Sequence, residues 1–594
     1  MDTKTFEALW KPDGSVHDHA PAWAKRRADM RRAFPSPYRD APPDPLAEEL
    51  SVAIQQLDQL KPQKPGPGYL GTRTWTDGPP YEEATKATLH PQMESVSKVV
   101  EQSIKLFEGL PIWNHPLVMP NVIPPANKAA IIAAMMTEVF SPNIIEGEYS
   151  WNVEFAELES AAMVARLIGW DASQAGGLFT FGGSGCYLYG LKYALARVLP
   201  DSRSTGVRTD AKLLVSQQGH YAMLNASDWT GLGMNNIVPI KTHPTTNAMD
   251  MNDLERVMSS LYRQGTPIVA VVCTMGTTDA FAVDPVAQVR ELIDKYPNPR
   301  PYGKTLLYCD AVIGWSWLTF GGYDFDANPL NFSPEVLPII RENHEAIKPV
   351  VHADAMGCDF HKVGWAPYNC SLFMMRDGME FQDLMRRPGS VYLQERTSYN
   401  PGLYTLEVSR SGAYAMAGWA TLKFFGYEGF QAILGGILEM QAHLRDRLGQ
   451  ERSLVCVNPD DHGFVTLFRV YPSKIDAKRQ YENELAWPDC RNDLIKHNRF
   501  QEQVANTLWQ WFRGGAKSGG TPYTPYISYT TGFRPTEYNR DKSDPYAMIY
   551  ALKSFPMNVN IDPPAMQTLI NAVLEARDYV EHEGWGCCST ESQE

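Results

Sequence analysis

The chain has 594 residues, 44% of them hydrophobic and 21% charged, so it is an ordinary folded chain too long for one compact core. Its 54 basic and 68 acidic residues give a formal charge of −14, which argues against nucleic acid or an anionic membrane as a general partner. We expect neither a secretory signal nor a membrane helix, because no basic segment precedes an apolar run near residue 1 and the longest uncharged stretch (111–127) carries five prolines.

The first segment in chain order is residues 1–115, which mix short helical pieces with proline-rich connectors. Such connectors extend instead of forming a core, so we expect an N-terminal helical arm that wraps another domain or a subunit. The next segment, 128–140 (KAAIIAAMMTEVF), predicts a buried helix, and 154–169 predicts an amphipathic helix.

Short apolar runs rich in β-formers then alternate with helical or loop stretches. Continuous apolar strands separated by crossovers predict a mostly parallel sheet with helices on both faces, and hence an α/β domain over 116–426. Residues 320–350 form a long insertion between two strands, and insertions of that length are more often functional or part of an interface than idle. The predicted strands lie at 212–216, 268–275, 305–312, 350–356 and 370–375.

Residues 427–594 predict a separate, smaller α+β domain. It has strand candidates at 453–457, 463–471 and 548–555, and it closes with a helix at about 564–582.

A glycine-rich turn opens directly into a long helix in TFGGSGCYLYGLKYALARVL (180–199). Exposed backbone N–H groups and the helix dipole favour a phosphate at such a point, although a bare G-G-S-G is weak evidence. A tight strand-to-helix turn that binds nothing would explain the same residues.

Two further candidates follow strand ends. His220 comes just after the strand at 212–216 and could stack on an aromatic ring, although a hydrogen-bonded loop histidine is the commoner arrangement. Thr277 and Thr278 follow the strand at 268–275, where open α/β sheets bind ligands. Gly-Thr-Thr-Asp is also a reasonable turn sequence.

Asp310 and Lys362 complete the set. Asp310 ends an apolar strand, where a carboxylate is costly without a partner such as a protonated ring nitrogen; a cap on the following turn is the alternative. Lys362 follows His361, and partial desolvation would lower its pKa and suit it to a Schiff base; a solvated surface lysine is the alternative. A phosphate turn, a stacking histidine, a strand-end aspartate and a lysine, in this order, are what pyridoxal phosphate requires.

These motifs resemble the group II pyridoxal-phosphate-dependent amino-acid decarboxylases. The most specific match is ADAMGCDFHK (353–362) against the family's A-D-S-x-x-x-D-P-H-K, and HKVGWAPY, NHPLVMPNVIPP (114–125) and SPNIIEGEYSWNVEFAELE (141–159) are similar to bacterial tyrosine decarboxylases. The resemblance covers about 115–430 well and the C-terminal part loosely. It implies a type I aminotransferase-like fold, a homodimer, pyridoxal 5'-phosphate as the cofactor and an L-amino acid as the substrate.

The resemblance also implies a role for each matching residue. Lys362 forms the Schiff base with His361 beside it, Asp310 holds the pyridine nitrogen protonated, and His220 stacks on the ring. The remaining implied contacts are Gly183, Ser184 and Gly185 at the phosphate, Thr278 near the cofactor, Asp359 on the phosphate side, and His115 and Pro116 at the substrate.

The family uses a tyrosine on a loop after the lysine strand as a proton donor. The corresponding stretch is 384–412, in which Tyr399 is the first candidate and Tyr392 the second; either could be an ordinary loop aromatic. Arg410 opens the next helix, where it could pair with a carboxylate or have a purely structural role.

Several positions depart from the family pattern and alter the predicted pocket walls. Phe181 stands where serine is common, Val312 where alanine is common and Phe360 where proline is common. Gly185-Cys186-Tyr187 replaces Glu-Ala-Asn, and Tyr308 replaces the usual histidine. None of these changes removes the Schiff base or the electron sink, but the identity of the substrate stays open.

The leading hypothesis is therefore decarboxylation of an L-amino acid to the amine and carbon dioxide, with an aromatic substrate such as tyrosine preferred. Aldehyde-forming oxidative decarboxylation and carbon–carbon lysis on the same cofactor are one alternative, and a non-catalytic scaffold is another. The nine scattered cysteines form no C-x-x-C zinc pattern, so we expect reduced thiols, no metal and a cytoplasmic protein.

Overall fold

The computed structural model describes residues 3–583 except for 12–14, 40–43, 73–80, 209, 244–245, 388–394, 515–522 and 541. The chain divides into two compact units, residues 1–112 and 113–594. The described part of the first unit contains short helices joined by irregular connectors: α1 (Thr3–Glu7), α2 (Ala22–Met30), α3 (Leu46–Gln59), α4 (Tyr81–Ala84) and α5 (Val96–Lys105).

The second unit is built on a seven-stranded sheet. Its strands are β1 (Gly176–Phe181), β2 (Lys212–Ser216), β3 (Ile237–Ile240), β4 (Ile268–Thr274), β5 (Leu306–Asp310), β6 (Ala355–Asp359) and β7 (Cys370–Met375). They lie in the order β1-β7-β6-β5-β4-β2-β3, and every neighbouring pair is parallel except the two pairs that contain β7. The sheet is therefore mostly parallel, as predicted.

Alternate residues of these strands enter two different hydrophobic cores, one on each face of the sheet. On β5, for example, Leu307 and Cys309 belong to one core, whereas Leu306 and Tyr308 belong to the other. Both faces must be covered to bury such strands, and helices of the same unit cover them. The helices of this part of the unit are α6 (Lys128–Phe140), α7 (Gly147–Ser150), α8 (Glu154–Ile168), α9 (Gly183–Val198), α10 (Ser202–Thr205), α11 (Ala222–Trp229), α12 (Met251–Gln264), α13 (Val286–Lys295), α14 (Val336–Ile347), α15 (Phe360–Val363), α16 (Gly378–Met385) and α17 (Ala413–Gly449).

The C-terminal part carries a second, antiparallel sheet in the order β10-β11-β9-β8. Its strands are β8 (Leu454–Cys456), β9 (Thr466–Val470), β10 (Ser528–Thr530) and β11 (Ala551–Ser554). A third hydrophobic core joins this sheet to two long helices. The helices of this part are α18 (Ala477–Ala486), α19 (Arg491–Gly514) and α20 (Pro563–His582). The proposed domain boundary between 426 and 427 stays a prediction.

Most predicted strands are confirmed, with two corrections. The strand expected at 350–356 begins only at Ala355, because Lys348–His352 forms a 3₁₀ turn. The strand at 370–375 exists but runs antiparallel to both neighbours, since only a short connection separates it from β6.

The helix at 128–140 is confirmed, but the prediction that it is buried is wrong for the single chain. Ile132, Met136 and Phe140 are 55%, 56% and 84% exposed, whereas Ala130 and Ala133 face the core. An apolar composition does not specify which element covers each side of a helix.

The insertion at 320–350 is ordered and contributes helix α14 to the main core. Val336, Ile340 and Ile347 of this helix are fully buried. In the described part of the chain, no helix is long and apolar enough to cross a membrane.

Candidate active site

Four parallel strands end in polar residues at one edge of the large sheet. Ser216, Thr274, Asp310 and Asp359 are the last residues of β2, β4, β5 and β6. Because β7 is antiparallel to both β1 and β6, β1 runs parallel to β6, and the turn after Phe181 lies at the same edge. Ligands of open α/β sheets bind outside the carboxyl ends of the strands, so this edge is the candidate active site.

A cavity of about 290 Å³ opens at this edge. It brings together candidates that lie far apart in the sequence, namely His220, Thr278, Asp310 and Lys362. Phe533, from the C-terminal part, closes another side. The four predicted residues therefore share one cavity.

Lys362 lies in the short helix α15, directly after β6, and its amine is 2.8 Å from Oδ2 of Asp359. Burial alone lowers the pKa of Lys362, but the negative charge of Asp359, its hydrogen bond and the charge of Asp310 together raise this pKa above its usual value. The expected lowered pKa is thus wrong for the protein without cofactor, because the lysine is paired with a buried carboxylate.

The two aspartates have opposite electrostatic environments. Burial raises the pKa of Asp310, which is 3% exposed, in spite of a hydrogen bond from the hydroxyl of Tyr187. Burial also acts on Asp359, but Lys362 and His361 outweigh it and hold the pKa of Asp359 below its usual value. Asp359 also accepts a 2.6 Å hydrogen bond from Ser371 and is thereby fixed as an anion.

The two candidate histidines are both held neutral by burial, which lowers their pKa values. Nδ1 of His220 accepts a 3.2 Å hydrogen bond from the backbone N–H of Ala222, so the neutral ring carries its proton on Nε2. Nδ1 of His361 lies 3.0 Å from the carbonyl oxygen of Cys370, and its Nε2 lies 3.6 Å from Oδ2 of Asp359, the oxygen that Lys362 also contacts.

The glycine-rich turn lies against the same aspartate. Gly182 has φ of +86°, in the region that favours glycine, and it caps the first turn of α9. A Cβ atom placed on Gly183 would lie 3.1 and 3.2 Å from the two carboxylate oxygens of Asp359, so this turn packs closely against the carboxylate and a side chain there would crowd it. Ser184 is exposed at the N-terminus of the 16-residue helix, where an anion is favoured.

These residues fit pyridoxal 5'-phosphate. The helix N-terminus suits the phosphate, Asp310 suits the pyridine nitrogen, and Lys362 suits the aldehyde carbon. The hydroxyl oxygen of Thr274 in the cavity wall is buried and has no hydrogen-bond partner within the described residues, as expected for a group that a ligand satisfies.

Other predicted residues are not brought to this cavity. The hydroxyl of Tyr399 donates to Glu157, which Arg410 also contacts at 2.6 Å, so Tyr399 and Arg410 belong to a buried structural cluster. His115 accepts a hydrogen bond from the side chain of Asn558 at its carbonyl oxygen, and neither His115 nor Pro116 lines the cavity. Tyr392 lies outside the described residues.

Sequence reasoning missed Thr274, Ser371 and Phe533 as site residues. Thr274 ends a predicted strand at the ligand-binding edge, a signal that could have identified it. Ser371 and Phe533 reach the site only through the antiparallel strand β7 and the C-terminal part, and no local pattern marks either of them.

A mostly parallel sheet with a lysine, a strand-end carboxylate and a glycine turn at its carboxyl edge defines a pyridoxal-phosphate enzyme of the type I aminotransferase-like fold. Residues 79–470 match the family model described as "Pyridoxal-dependent decarboxylase conserved domain". The chain belongs to this family, and it is a pyridoxal-phosphate-dependent amino-acid decarboxylase.

Similar proteins include decarboxylases with different substrates. The acidic amino acid decarboxylase GADL1 of Homo sapiens is 21% identical over 391 residues, which cover 65% of this chain and 68% of that protein. The L-tyrosine decarboxylase of Enterococcus faecalis is 27% identical over 253 residues, 39% of each chain. The crystal structure of mouse CSAD in apo form has a TM-score of 0.71 at 18% identity and covers 90% of this chain and all of that one. Oryza sativa TDC with PLP and tryptamine has a TM-score of 0.69 at 16% identity and covers 92% and 99%.

Proposed function

We propose that this decarboxylase acts on an L-amino acid with an uncharged, aromatic side chain, such as tyrosine. The observation that supports this is the charge of the cavity wall. Asp279 lines the cavity, but Lys553 of β11 lies 2.6 Å from it and neutralises its charge. Among the described lining residues, Lys362 is the only lysine and there is no arginine.

Within the described lining, this arrangement leaves neither a free cation for an acidic side chain nor a free anion for a basic one. The rings of Tyr221 and Phe533 line the same cavity and suit an aromatic partner. The partial similarity to L-tyrosine decarboxylases supports the same choice.

Each residue of the site has a proposed task. When bound, pyridoxal 5'-phosphate would supply the electron sink that accepts the electron pair left when the bond to the substrate carboxylate breaks. Lys362 would anchor the cofactor at its aldehyde carbon, while Asp310 would keep a proton on the ring nitrogen. The ring of His220 supports the face of the cofactor, and the first turn of α9, with Gly183, Ser184 and Gly185, holds the phosphate.

The other proposed roles rest on the resemblance to the family. We propose that Thr278 lies near the cofactor and Asp359 on its phosphate side, with Asp359 acting through its ion pair with Lys362. His115 and Pro116 are proposed contacts to the substrate. A loop tyrosine, Tyr399 or Tyr392, is the proposed proton donor.

We also propose a cytoplasmic homodimer. Ile132, Met136 and Phe140 form an exposed apolar face on α6, and Trp151 is 74% exposed nearby in sequence. Faces of this kind mark protein–protein contacts. Met136→Glu should lower the molar mass measured by light scattering from dimer to monomer, whereas Val559→Glu, at a 75% exposed site, should leave the dimer intact. A wild-type monomer would contradict the proposal.

The experiment that tests the function combines spectroscopy with a panel of L-amino acids. The wild type should take up pyridoxal phosphate as a reducible lysine adduct, and Lys362→Ala should lose that adduct. Lys348→Ala is the matched control, since Lys348 is an exposed lysine paired with Glu345. Carbon dioxide and amine from aromatic amino acids, with little from glutamate or 2,4-diaminobutyrate, would support the proposal.

Other products would change the conclusion. Release from acidic or basic amino acids alone would overturn the substrate assignment. Aldehyde or hydrogen peroxide would indicate the oxidative route. A protein that takes up no cofactor would favour a non-catalytic scaffold.

A further inference from the structure

We propose that Tyr187 is a positioning residue for the cofactor: its hydroxyl holds one carboxylate oxygen of Asp310 and so orients the other toward the pyridine nitrogen. This inference rests on the proposed role of Asp310. It concerns a position at which this chain departs from the family pattern, because tyrosine stands where asparagine is common.

The contact joins two elements that flank the cofactor site. Tyr187 lies in the second turn of α9, the helix that begins at the glycine-rich turn, and its hydroxyl donates to Oδ2 of Asp310. Among the described residues, the other oxygen, Oδ1, accepts only a long contact of 3.3 Å from the backbone N–H of Val312. A carboxylate oxygen can accept more than one hydrogen bond, so Oδ1 keeps capacity for a ring N–H.

A second departure from the family fixes Tyr187 in place. The rings of Tyr187 and Tyr308 are 5.4 Å apart, and both residues are 2% exposed. A Cβ atom on Gly190 would lie 2.7 Å from the Tyr308 ring, and one on Gly357 would lie 2.6 Å from its hydroxyl. The two glycines thus provide the space that lets Tyr308 pack behind Tyr187, and the two tyrosines form one cluster behind Asp310.

Hydrogen bonding also favours the ionised form of this carboxyl group. Burial raises the pKa of Asp310, and the hydrogen bond from Tyr187 opposes that rise. Only the ionised carboxylate can hold a proton on the ring nitrogen. The other titratable groups whose charges act on or respond to Asp310 are Lys362, Asp359, His220, Tyr308, Cys186 and Cys358.

The test compares Tyr187→Phe with wild type by titrating the apoprotein with pyridoxal phosphate across a pH series, following tryptophan fluorescence and visible absorbance. Hydrogen bonds to charged groups are strong, so we expect the dissociation constant of the cofactor to rise about tenfold. The loss of affinity with falling pH should also begin at a higher pH in the variant, because the pKa of Asp310 rises when the bond is removed.

Tyr189→Phe is the matched control. Tyr189 lies on the same helix, is buried, and donates to a carboxylate as well, but that carboxylate is Glu407 and lies outside the cavity. This variant should bind the cofactor with the wild-type pH profile even if its stability falls. A shift of equal size in both variants would show a general structural effect and overturn the inference.

Asp310→Asn separates the inference from the function on which it rests. If this variant binds the cofactor as tightly as wild type, the proposed role of Asp310 fails. If it loses affinity while Tyr187→Phe keeps both the wild-type affinity and the wild-type pH profile, only the role of Tyr187 is refuted.

Discussion

The amine of Lys362 lies 2.8 Å from a carboxylate oxygen of Asp359, whose side chain is 1% exposed. This pair keeps the lysine protonated, because the neighbouring negative charge raises the pKa of the amine. Covalent attachment of an aldehyde requires the neutral amine, so the pair sets the pH range in which the cofactor can attach.

Asp359→Asn should therefore lower the pKa of Lys362 and allow the lysine adduct to form at a lower pH than in wild type. Absorbance during reconstitution at a series of pH values measures this shift. Glu345→Gln, which removes the partner of the exposed Lys348, should leave the profile unchanged. A shift of the Asp359→Asn profile to higher pH would contradict the assignment.

The buried ion pair between Arg410 and Glu157 should stabilise the fold around α8 and β1. Glu157 is fully buried and accepts hydrogen bonds from Arg410, Tyr399 and the backbone of Phe179. Removing one partner of a buried pair leaves an uncompensated charge, so Glu157→Gln should cost about 3 kcal/mol of unfolding free energy.

Denaturant unfolding measures that cost. The control is Lys423→Ala, which breaks the half-exposed pair with Glu159 on the same helix and should cost less than about 1 kcal/mol. Equal losses of unfolding free energy in the two variants would show that the buried pair stabilises the fold no more than the half-exposed pair does.

The two loop tyrosines can be distinguished by substitution. The hydroxyl of Tyr399 is bound to Glu157, so Tyr399→Phe should chiefly lower stability, by about 1.5–3 kcal/mol. Tyr392→Phe should then be the variant that slows amine release or diverts the product to aldehyde. Stability, amine, aldehyde and hydrogen peroxide are measured for both. A large loss of turnover in a fully stable Tyr399→Phe would identify Tyr399 as the donor.

The ion pair between Asp279 and Lys553 should control the charge that the cavity accepts. Lys553→Met leaves Asp279 as an unpaired anion, so the ratio of kcat/KM for 2,4-diaminobutyrate over tyrosine should rise. Asp279→Asn with Lys553→Met removes both charges and should restore the wild-type ratio. An unchanged ratio in the single variant would show that these residues do not select the substrate.

The local secondary structure of this protein could largely be predicted from its sequence. Apolar runs and turns identified β2, β4, β5 and β7, because their side chains must be buried on both faces. That His220, Thr278, Asp310 and Lys362 share one cavity was also predictable, because parallel strands place their ends at one edge and residues that follow separate strands meet there.

Only the tertiary structure decided the contacts between distant segments. Tyr187 and Asp310 are 123 positions apart, and Phe533 reaches the cavity from the C-terminal part. The antiparallel direction of β7, the exposed face of α6 and the raised pKa of Lys362 depend likewise on what packs against each element. Sequence patterns record whether a residue prefers burial, whereas packing determines which partner buries it and which charge it then meets.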